Sequence, residues 1–386
     1  MTSMNKVFAD LPVTIFEAMS QLARDNNAIN LGQGFPDDAG PEDIRRAAAD
    51  AVLNGYNQYP SMMGIPELRQ AICEHYQRWH GIALDPMTEV MVTSGGTEAL
   101  TSAILAVVEP GDEVVVFQPV YDSYLPIIRQ ARGIPRLVRL EPPHWRLTEE
   151  ALRGVFNDKT KAVLFNNPLN PAAVVYPREE LELLARFCQQ FDTVAICDEV
   201  WEHVVFEDAH IPLIALPGMR DRTVKIGSAG KIFAVTGWKV GWTLAAPPLA
   251  SVLAKAHQFL TFTTPPNLQA AVAYGLAKHE SWFAAMRAGF AEQRHRLDRG
   301  LKQAGYVTLP STATWFLSID LAASGIELDD ETFADRMLRE GDVVTIPMSA
   351  FYAADPIRSI VRLCFTKQPA TIDRAIESFA RMRSQF

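Results

Sequence analysis

Residues 223–245 read Thr-Val-Lys-Ile-Gly-Ser-Ala-Gly-Lys-Ile-Phe-Ala-Val-Thr-Gly-Trp-Lys-Val-Gly-Trp-Thr-Leu-Ala. The first and last four residues of this stretch predict two β-strands, and a small-residue turn separates them. Ser228, Lys231 and Lys239 lie in the connection, where a hydroxyl and two cations suit phosphate binding and a lysine amine can bond covalently to a carbonyl. A lone lysine is more often a solvated loop residue, so these residues alone leave both interpretations open.

Similar apolar runs occur upstream and alternate with helical patterns. The predicted strands are Val90–Thr93, Glu113–Phe117, Ala162–Phe165, Val194–Asp198, Thr223–Ile226 and Trp242–Ala245, and the clearest helices between them are Thr97–Val108 and Arg178–Phe191. Strands that are apolar nearly throughout are typical of a parallel sheet covered on both faces. The sequence therefore predicts an α/β fold, with a mostly parallel sheet flanked by helices.

The pattern changes after about Pro265. An amphipathic stretch from about Glu280 to Ala304 leads into shorter strands, predicted at Trp315–Ile319 and Val361–Phe365, mixed with helices. We therefore expect a large domain over residues 46–275 and a smaller α+β domain over 276–386. Residues 1–45 are expected to form an N-terminal arm and part of the small domain.

The composition excludes several classes of protein. The chain has 386 residues, 48% of them hydrophobic, and a formal charge of −9, which disfavours disorder, a nucleic-acid surface and a polybasic membrane anchor. There is no uninterrupted apolar run of about 20 residues and no apolar signal core. The four scattered cysteines predict buried thiols in a reducing compartment, with no disulfide framework or metal site, and hence a cytoplasmic protein.

Three further motifs each accompany a predicted strand. Asp198 ends one strand, residues 166–171 read Asn-Asn-Pro-Leu-Asn-Pro after another, and residues 93–99 read Thr-Ser-Gly-Gly-Thr-Glu-Ala. A carboxylate at a strand end faces the crevice where α/β proteins bind ligands, and a helix start binds anions. Each motif also has a commoner structural interpretation, as a helix cap or a turn. Taken singly, none of them decides the function.

Taken together, the motifs resemble one family in content and order. The chain is similar to pyridoxal-phosphate-dependent aminotransferases of fold type I, class I/II, and within them to methionine and kynurenine (glutamine-type) aminotransferases. The stretches that carry the resemblance are Asn30–Asp37, Asn57–Tyr59, Ser94–Leu100, Pro119–Asp122, Asn166–Pro171, Cys197–Glu202, Ser228–Lys231, Thr236–Gly241 and Ile360–Phe365. They span nearly the whole chain.

The resemblance implies a role for particular residues. Lys231 matches the lysine that binds the cofactor pyridoxal 5'-phosphate covalently and moves the proton. Asp198 matches the acid that pairs with the pyridine nitrogen, Asn170 the partner of the ring's phenolic oxygen, and Tyr121 the ring stacked on the cofactor. The remaining assignments are Gly96, Thr97, Ser228 and Lys239 for the phosphate, Tyr59 for the phosphate of a neighbouring subunit in a homodimer, and Arg362 with Gly34 and Asn170 for the substrate carboxylate.

The chain departs from the family pattern at three places. Trp201 stands where most relatives have a tyrosine whose hydroxyl bonds the cofactor, so the cofactor's pKa or tilt is expected to differ. Lys239 replaces an arginine of many class I enzymes, which we interpret as a subgroup trait. Ala172-Ala173 replaces the usual Thr-Gly and should change only the turn.

The implied reaction is reversible amino transfer between an amino acid and a 2-oxo acid by a ping-pong mechanism. The absence of an obvious second arginine favours a neutral substrate such as methionine, an aromatic amino acid or glutamine. The candidate pocket residues, which could equally belong to the core, are Phe16, Tyr59, Met62, Phe351 and Tyr352. Two alternatives remain, a carbon–sulfur β-lyase on the same scaffold and a non-catalytic sensing domain. The latter is disfavoured because no basic helix-turn-helix segment flanks the domain.

Overall fold

The computed structural model describes residues 4–9, 11–207 and 209–386. Its strands are β1 Ile29–Asn30, β2 Val90–Thr93, β3 Glu113–Gln118, β4 Ile134–Arg139, β5 Thr160–Asn166, β6 Val194–Asp198, β7 Thr223–Ser228, β8 Gly241–Leu244, β9 Val307–Thr308, β10 Phe316–Asp320, β11 Val343–Val344, β12 Ile346–Pro347 and β13 Ile360–Cys364. Residues 1–3 and 10 of the predicted N-terminal arm, and residue 208 of the predicted large domain, lie outside the described residues.

The α-helices of the described residues have starts that the sequence explains. They are α1 Lys6–Ala9, α2 Ile15–Asn26, α3 Glu42–Asn54, α4 Pro66–His80, α5 Gly95–Val107, α6 Tyr124–Gln130, α7 Glu149–Arg153, α8 Arg178–Gln190, α9 Ala229–Ile232, α10 Pro247–Leu260, α11 Pro266–Leu276, α12 Glu280–Gln303, α13 Asp330–Arg339 and α14 Pro369–Met382. Four of them begin with a proline, which loses no hydrogen bond at that position. At α13 the Asp329 side chain accepts a hydrogen bond from the Thr332 backbone N–H.

The described residues form a seven-stranded sheet in the order β2-β8-β7-β6-β5-β3-β4. Strand β8 runs antiparallel to both neighbours, and the pairs from β7 to β4 are parallel, which confirms the predicted α/β class. All six strands predicted before Pro265 are present, with ends displaced by two residues at most, and the two predicted after it are present as β10 and β13, each displaced by one residue. Strand β4 was not predicted, because as an edge strand it is largely exposed and it contains Pro135.

The parallel register brings the carboxyl ends of three neighbouring strands together. Asn166 at the end of β5 pairs with Asp198 at the end of β6, and Asp198 pairs with Ile226, two residues before the end of β7. Strand β2 ends at Thr93 and α5 begins two residues later, at Gly95. Polar side chains and a helix N-terminus therefore meet at one edge of the sheet, where α/β proteins bind ligands.

The C-terminal part of the chain forms a smaller antiparallel sheet in the order β12-β13-β10-β9. Helices α12 and α14 pack on each other beside it. The N-terminal strand β1 pairs with β11, with Ile29 opposite Val343, so the segment before Pro41 does contact the C-terminal part. The domain limits at residues 45/46 and 275/276 stay a prediction.

All four cysteines are buried and unpaired. None of the described helices is long and apolar enough to cross a membrane.

Candidate active site

A cavity of about 340 Å³ opens at this edge of the large sheet. Of the residues that the sequence predicted for the site, it is lined by Gly34, Gly96, Thr97, Tyr121, Asn170, Asp198, Trp201, Ser228, Lys231, Lys239 and Arg362. Tyr59 does not line it; the Tyr59 side chain is 81% exposed. The structure thus brings together residues up to 328 positions apart, from Gly34 to Arg362.

Lys231 lies in the short helix α9, directly after strand β7, and its side chain enters the cavity. Its ammonium nitrogen Nζ lies 4.6 Å from the centre of the Trp201 ring and 5.1 Å from that of Trp315. Burial lowers the pKa of Lys231 to about 8, although the nearby Asp198 carboxylate opposes this shift. At pH 7 roughly a tenth of this amine is therefore unprotonated and able to act as a nucleophile or base.

Asp198 is buried at the end of β6 and is only half satisfied. Its Oδ2 accepts a 2.6 Å hydrogen bond from the Tyr124 hydroxyl, whereas its fully buried Oδ1 has no hydrogen-bond partner in the described residues. Burial raises the pKa of Asp198 more than the Tyr124 hydroxyl, the Val200 backbone N–H and the charge of Lys231 together lower it. A buried carboxylate oxygen without a partner fits a ligand that brings an N–H donor, such as a protonated pyridine nitrogen.

The N-terminus of α5 and Lys239 form the cationic end of the cavity. Gly95 has φ of +76°, and a Cβ there would lie 3.2 Å from Lys239 Cε, so the lysine packs directly on the glycine. At Gly241 a Cβ would lie 2.8 Å from the Gly95 carbonyl carbon, which keeps β8 close to the helix start. Free N–H groups and a lysine at a helix N-terminus are suited to a phosphate.

Arg362 on β13 is 1% exposed and is held rigidly at the opposite end of the cavity. Its guanidinium donates to Asn170 Oδ1 at 2.9 Å and to the Gly32 carbonyl at 2.8 Å, while the Phe316 ring lies 3.9 Å from it. Its buried Nε has no partner in the described residues. Gly34 is close by, and a Cβ there would meet Phe316 at 2.6 Å, which explains the glycine. An anion such as a carboxylate suits this arginine.

Several residues of the site were not assigned from the sequence. Tyr124 bonds Asp198, and Asn166 binds both Asp198, through that residue's carbonyl, and the Asn170 backbone N–H. Two rings from the C-terminal part of the chain also contact the site: Trp315 lies beside the Lys231 amine, and Phe316 lies beside the Arg362 guanidinium. Asn166 belongs to the stretch Asn166–Pro171 quoted above, and Tyr124 lies two residues after the stretch Pro119–Asp122. Trp315 was predicted only as the first residue of a strand, with nothing to mark it as part of the site.

The five residues predicted for the substrate pocket do not lie together in the structure. Phe16 lines the cavity, but Tyr59, Met62, Phe351 and Tyr352 do not. Phe351 packs edge-on against Phe16 and, with Tyr352, lines an adjoining apolar cavity of about 740 Å³. The Met62 carbonyl instead accepts a hydrogen bond from His257 at 2.9 Å.

The fold and the site agree with a single family. The family model "Aminotransferase class I and II" matches residues 26–379, and the chain belongs to this family. It is therefore an enzyme that transfers amino groups between amino acids and 2-oxo acids, and its class and fold type imply pyridoxal phosphate.

Named relatives act on different amino acids. The chain is 40% identical to a "Probable N-succinyldiaminopimelate aminotransferase" of Mycobacterium tuberculosis, over 94% of each chain. It is 34% identical to human kynurenine–oxoglutarate transaminase 1, again over 94% of each. It resembles the solved structure of a methionine aminotransferase from Escherichia coli, with 36% identity, 99% of this chain and 100% of that one covered, and a TM-score of 0.95.

Proposed function

We propose that this aminotransferase binds pyridoxal 5'-phosphate in the cavity around Lys231. The observation that carries the proposal is the buried Asp198 Oδ1, which lacks a hydrogen-bond donor in the same cavity as a lysine of lowered pKa. When bound, the cofactor supplies an electron sink for the electrons of the bond broken at the substrate Cα.

Each end of the cavity has its own task in this proposal. The N-terminus of α5, with Gly96, Thr97, Ser228 and Lys239, holds the phosphate. Asp198, oriented by the Tyr124 hydroxyl, keeps a proton on the pyridine nitrogen. The Lys231 amine takes up and returns the proton of the substrate Cα, because it is unprotonated in part near neutral pH.

The substrate end favours a neutral side chain. Among the described residues that line the cavity, Arg362 is the single arginine, and the α-carboxylate requires it. The lining also contains aromatic rings that are not assigned to the cofactor, among them Phe16, Phe35 and Phe316. The proposed amino donors are therefore methionine, aromatic amino acids including kynurenine, and glutamine. N-succinyldiaminopimelate, which is the substrate in one relative's name, is tested beside them as an acidic amino acid.

We further propose a cytoplasmic homodimer with shared sites. Tyr59 is exposed and packs edge-on against Phe262 at 5.6 Å, and Phe259, three residues before Phe262 in the sequence, is 85% exposed. These exposed aromatic side chains suit an interface, and Tyr59 would reach the phosphate of a second copy. Mixing Tyr59→Ala with Lys231→Ala subunits tests this proposal, because one site of each mixed dimer regains both residues. Activity that does not recover would place Tyr59 outside the shared site.

A half-reaction screen tests the function. Each amino acid is mixed with the cofactor-loaded enzyme in the absence of any 2-oxo acid, and the visible absorbance and the released oxo acid are recorded. We expect one oxo acid per site and then no further reaction, with methionine, aromatic amino acids or glutamine reacting faster than N-succinyldiaminopimelate and aspartate. Repeated formation of pyruvate from a cysteine conjugate would indicate the β-lyase instead. An enzyme that consumes no amino acid would contradict the proposal.

A further inference from the structure

The amine of Lys231 is surrounded by aromatic rings. Its nitrogen lies 4.6 Å from the Trp201 ring centre and 5.1 Å from that of Trp315. The charged and titratable groups whose charges act on this amine are Cys364, Asp198, Arg362 and Lys239. Within the described part of the chain, no carboxylate forms an ion pair with it, whereas two indole rings lie within about 5 Å of it.

Trp315 is the less expected of the two tryptophans. It directly precedes strand β10, 84 positions after Lys231, and it is fully buried. Its ring meets Trp201 edge-on, with the centres 4.9 Å apart and the planes at 83°, and it packs on Phe290 from the other side. Its indole N–H has no hydrogen-bond partner among the described residues. Burying an indole without satisfying its N–H is unfavourable, which points to a use for the ring itself.

We propose that Trp201 and Trp315 form an aromatic cradle that holds the ε-amino group of Lys231 in its protonated form, with Trp315 acting as a positioning residue through that lysine. The proposal rests on the proton-carrying role of Lys231 given above.

The chemistry favours such a cradle over an ion pair. A lysine that takes a proton from one carbon and returns it to another must be stable for a moment as an ammonium ion. The negative face of an indole stabilises a cation without accepting its proton. A contacting carboxylate would hold the amine in one place and keep its proton. Two indole faces therefore stabilise the charged amine and leave it free to move.

Graded fluorination of single tryptophans tests the cradle. Fluorine withdraws charge from the indole face while almost preserving its size, so the cavity is neither enlarged nor hydrated. Mono-, di- and trifluorotryptophan are placed at position 315, and in a second series at position 201, in the full chain without cofactor. The pH dependence of Lys231 labelling by methyl acetimidate, measured by peptide mass spectrometry, gives the pKa of that amine.

We expect the pKa of Lys231 to fall stepwise with each fluorine at either position, by about half a unit over a series. Trp145 is the matched control, because it is also fully buried, also lacks a partner for its indole N–H and packs in a different part of the core. An unchanged pKa in the position-315 series would overturn the role of Trp315. An equal fall in the Trp145 series would overturn the cradle altogether.

This experiment is independent of the cofactor. Labelling reads the amine in the protein alone, so the cradle can fail while the proposed cofactor site stands. Conversely, a protein that took up no pyridoxal phosphate would still give the fluorination series, and the two failures are therefore distinguishable.

Discussion

The large sheet carries two buried groups of the same chemistry, and within the described residues only one of the two carboxylates forms an ion pair. In the first, Glu202 Oε1 accepts from the Tyr76 hydroxyl at 2.6 Å and its Oε2 lies 2.7 Å from Lys225 Nζ. In the second, Asp198 Oδ2 accepts from the Tyr124 hydroxyl at 2.6 Å, but its Oδ1 has no partner among the described residues. Each group combines a buried carboxylate, a tyrosine and a lysine. The lysine is Lys225 of strand β7 in the first group and Lys231 of helix α9 in the second.

The difference separates structure from function. Burial acts to raise the pKa of Glu202, but Lys225 and the neighbouring histidines outweigh it and hold that pKa well below its usual range. For Asp198, burial outweighs the hydrogen bond from Tyr124, so its pKa is raised. A complete ion pair fixes strand β7 to its neighbours, whereas an incomplete one retains the capacity to bind a ligand. The two carboxylates, Asp198 and Glu202, are only four positions apart in the sequence.

The largest expected effect is on turnover. Lys231→Ala should lower the rate of the amino-acid half-reaction by at least about 10⁴-fold, because the base and its covalent bond are lost together. Cofactor binding should weaken but remain detectable, since Asp198 and the phosphate site are intact. Spectroscopic titration with pyridoxal phosphate measures it, and the exposed Lys255→Ala is the control. Near-normal turnover in the Lys231 variant would contradict the assignment.

Next in size is the effect on stability, which tests the comparison directly. Glu202→Gln should destabilise the cofactor-free protein by about 3–5 kcal/mol, because it leaves the Lys225 charge buried without its partner. Asp198→Asn, the same chemical change, should cost less than about 1 kcal/mol or even stabilise, because an unfavourable buried charge is removed. Chemical denaturation measures both free energies of unfolding, and equal losses would remove the distinction between the two groups.

The substrate clamp should be sensitive to geometry as well as charge. Arg362→Lys should reduce kcat/KM by roughly 10- to 150-fold for every amino acid alike, because one charge-assisted hydrogen bond is worth about 1.5–3 kcal/mol. The exposed Arg358→Lys serves as the control. A loss confined to one side chain would show that Arg362 does not bind the common α-carboxylate.

The two carboxylates should also respond oppositely to pH. The lowered pKa of Glu202 contributes stability that is present above about pH 4 and is lost as the pH falls through its folded pKa. The raised pKa of Asp198 costs stability as the pH rises above about 4. The destabilisation by Glu202→Gln should therefore shrink on acidification, and any gain from Asp198→Asn should shrink as well. Parallel denaturation curves from pH 7 to well below pH 4 measure both trends, the Asp198 trend above about pH 4 and the Glu202 trend below it. A loss that grows on acidification in the Glu202 variant would contradict this assignment.

The smallest expected effect is at Trp201. This ring lines the cavity beside Lys231, so a tyrosine there could offer a hydroxyl to the phenolic oxygen of the cofactor. Trp201→Tyr should lower the pKa of the visible absorption band of the holoenzyme by somewhat under one unit, since such a bond is worth about 1 kcal/mol. The half-buried Trp282→Tyr is the matched substitution away from the site. An unchanged or raised pKa would exclude the proposed effect.

Strands and family motifs could be predicted from the sequence, because each depends on neighbouring residues. Contacts between segments far apart in the chain could not be predicted. The six strands predicted for the large sheet are short and nearly apolar runs, so their burial could be predicted from their own residues. The pairing of β1 with β11 and the contact of Trp315 with Lys231 join residues far apart in the chain, for which no local pattern exists. Lys225 within an apolar strand was a visible signal of a buried ion pair, but its partner Glu202 could be found only from the structure.

The proposed function requires that Lys231 is the residue that bonds the cofactor. Borohydride reduction of the holoenzyme followed by peptide mapping identifies that residue, because reduction fixes the cofactor to the lysine that carries it. We expect one pyridoxyl label per chain, on Lys231, and no label when Lys231→Ala is treated in the same way. A label on any other lysine, such as Lys225 or Lys239, would contradict the account.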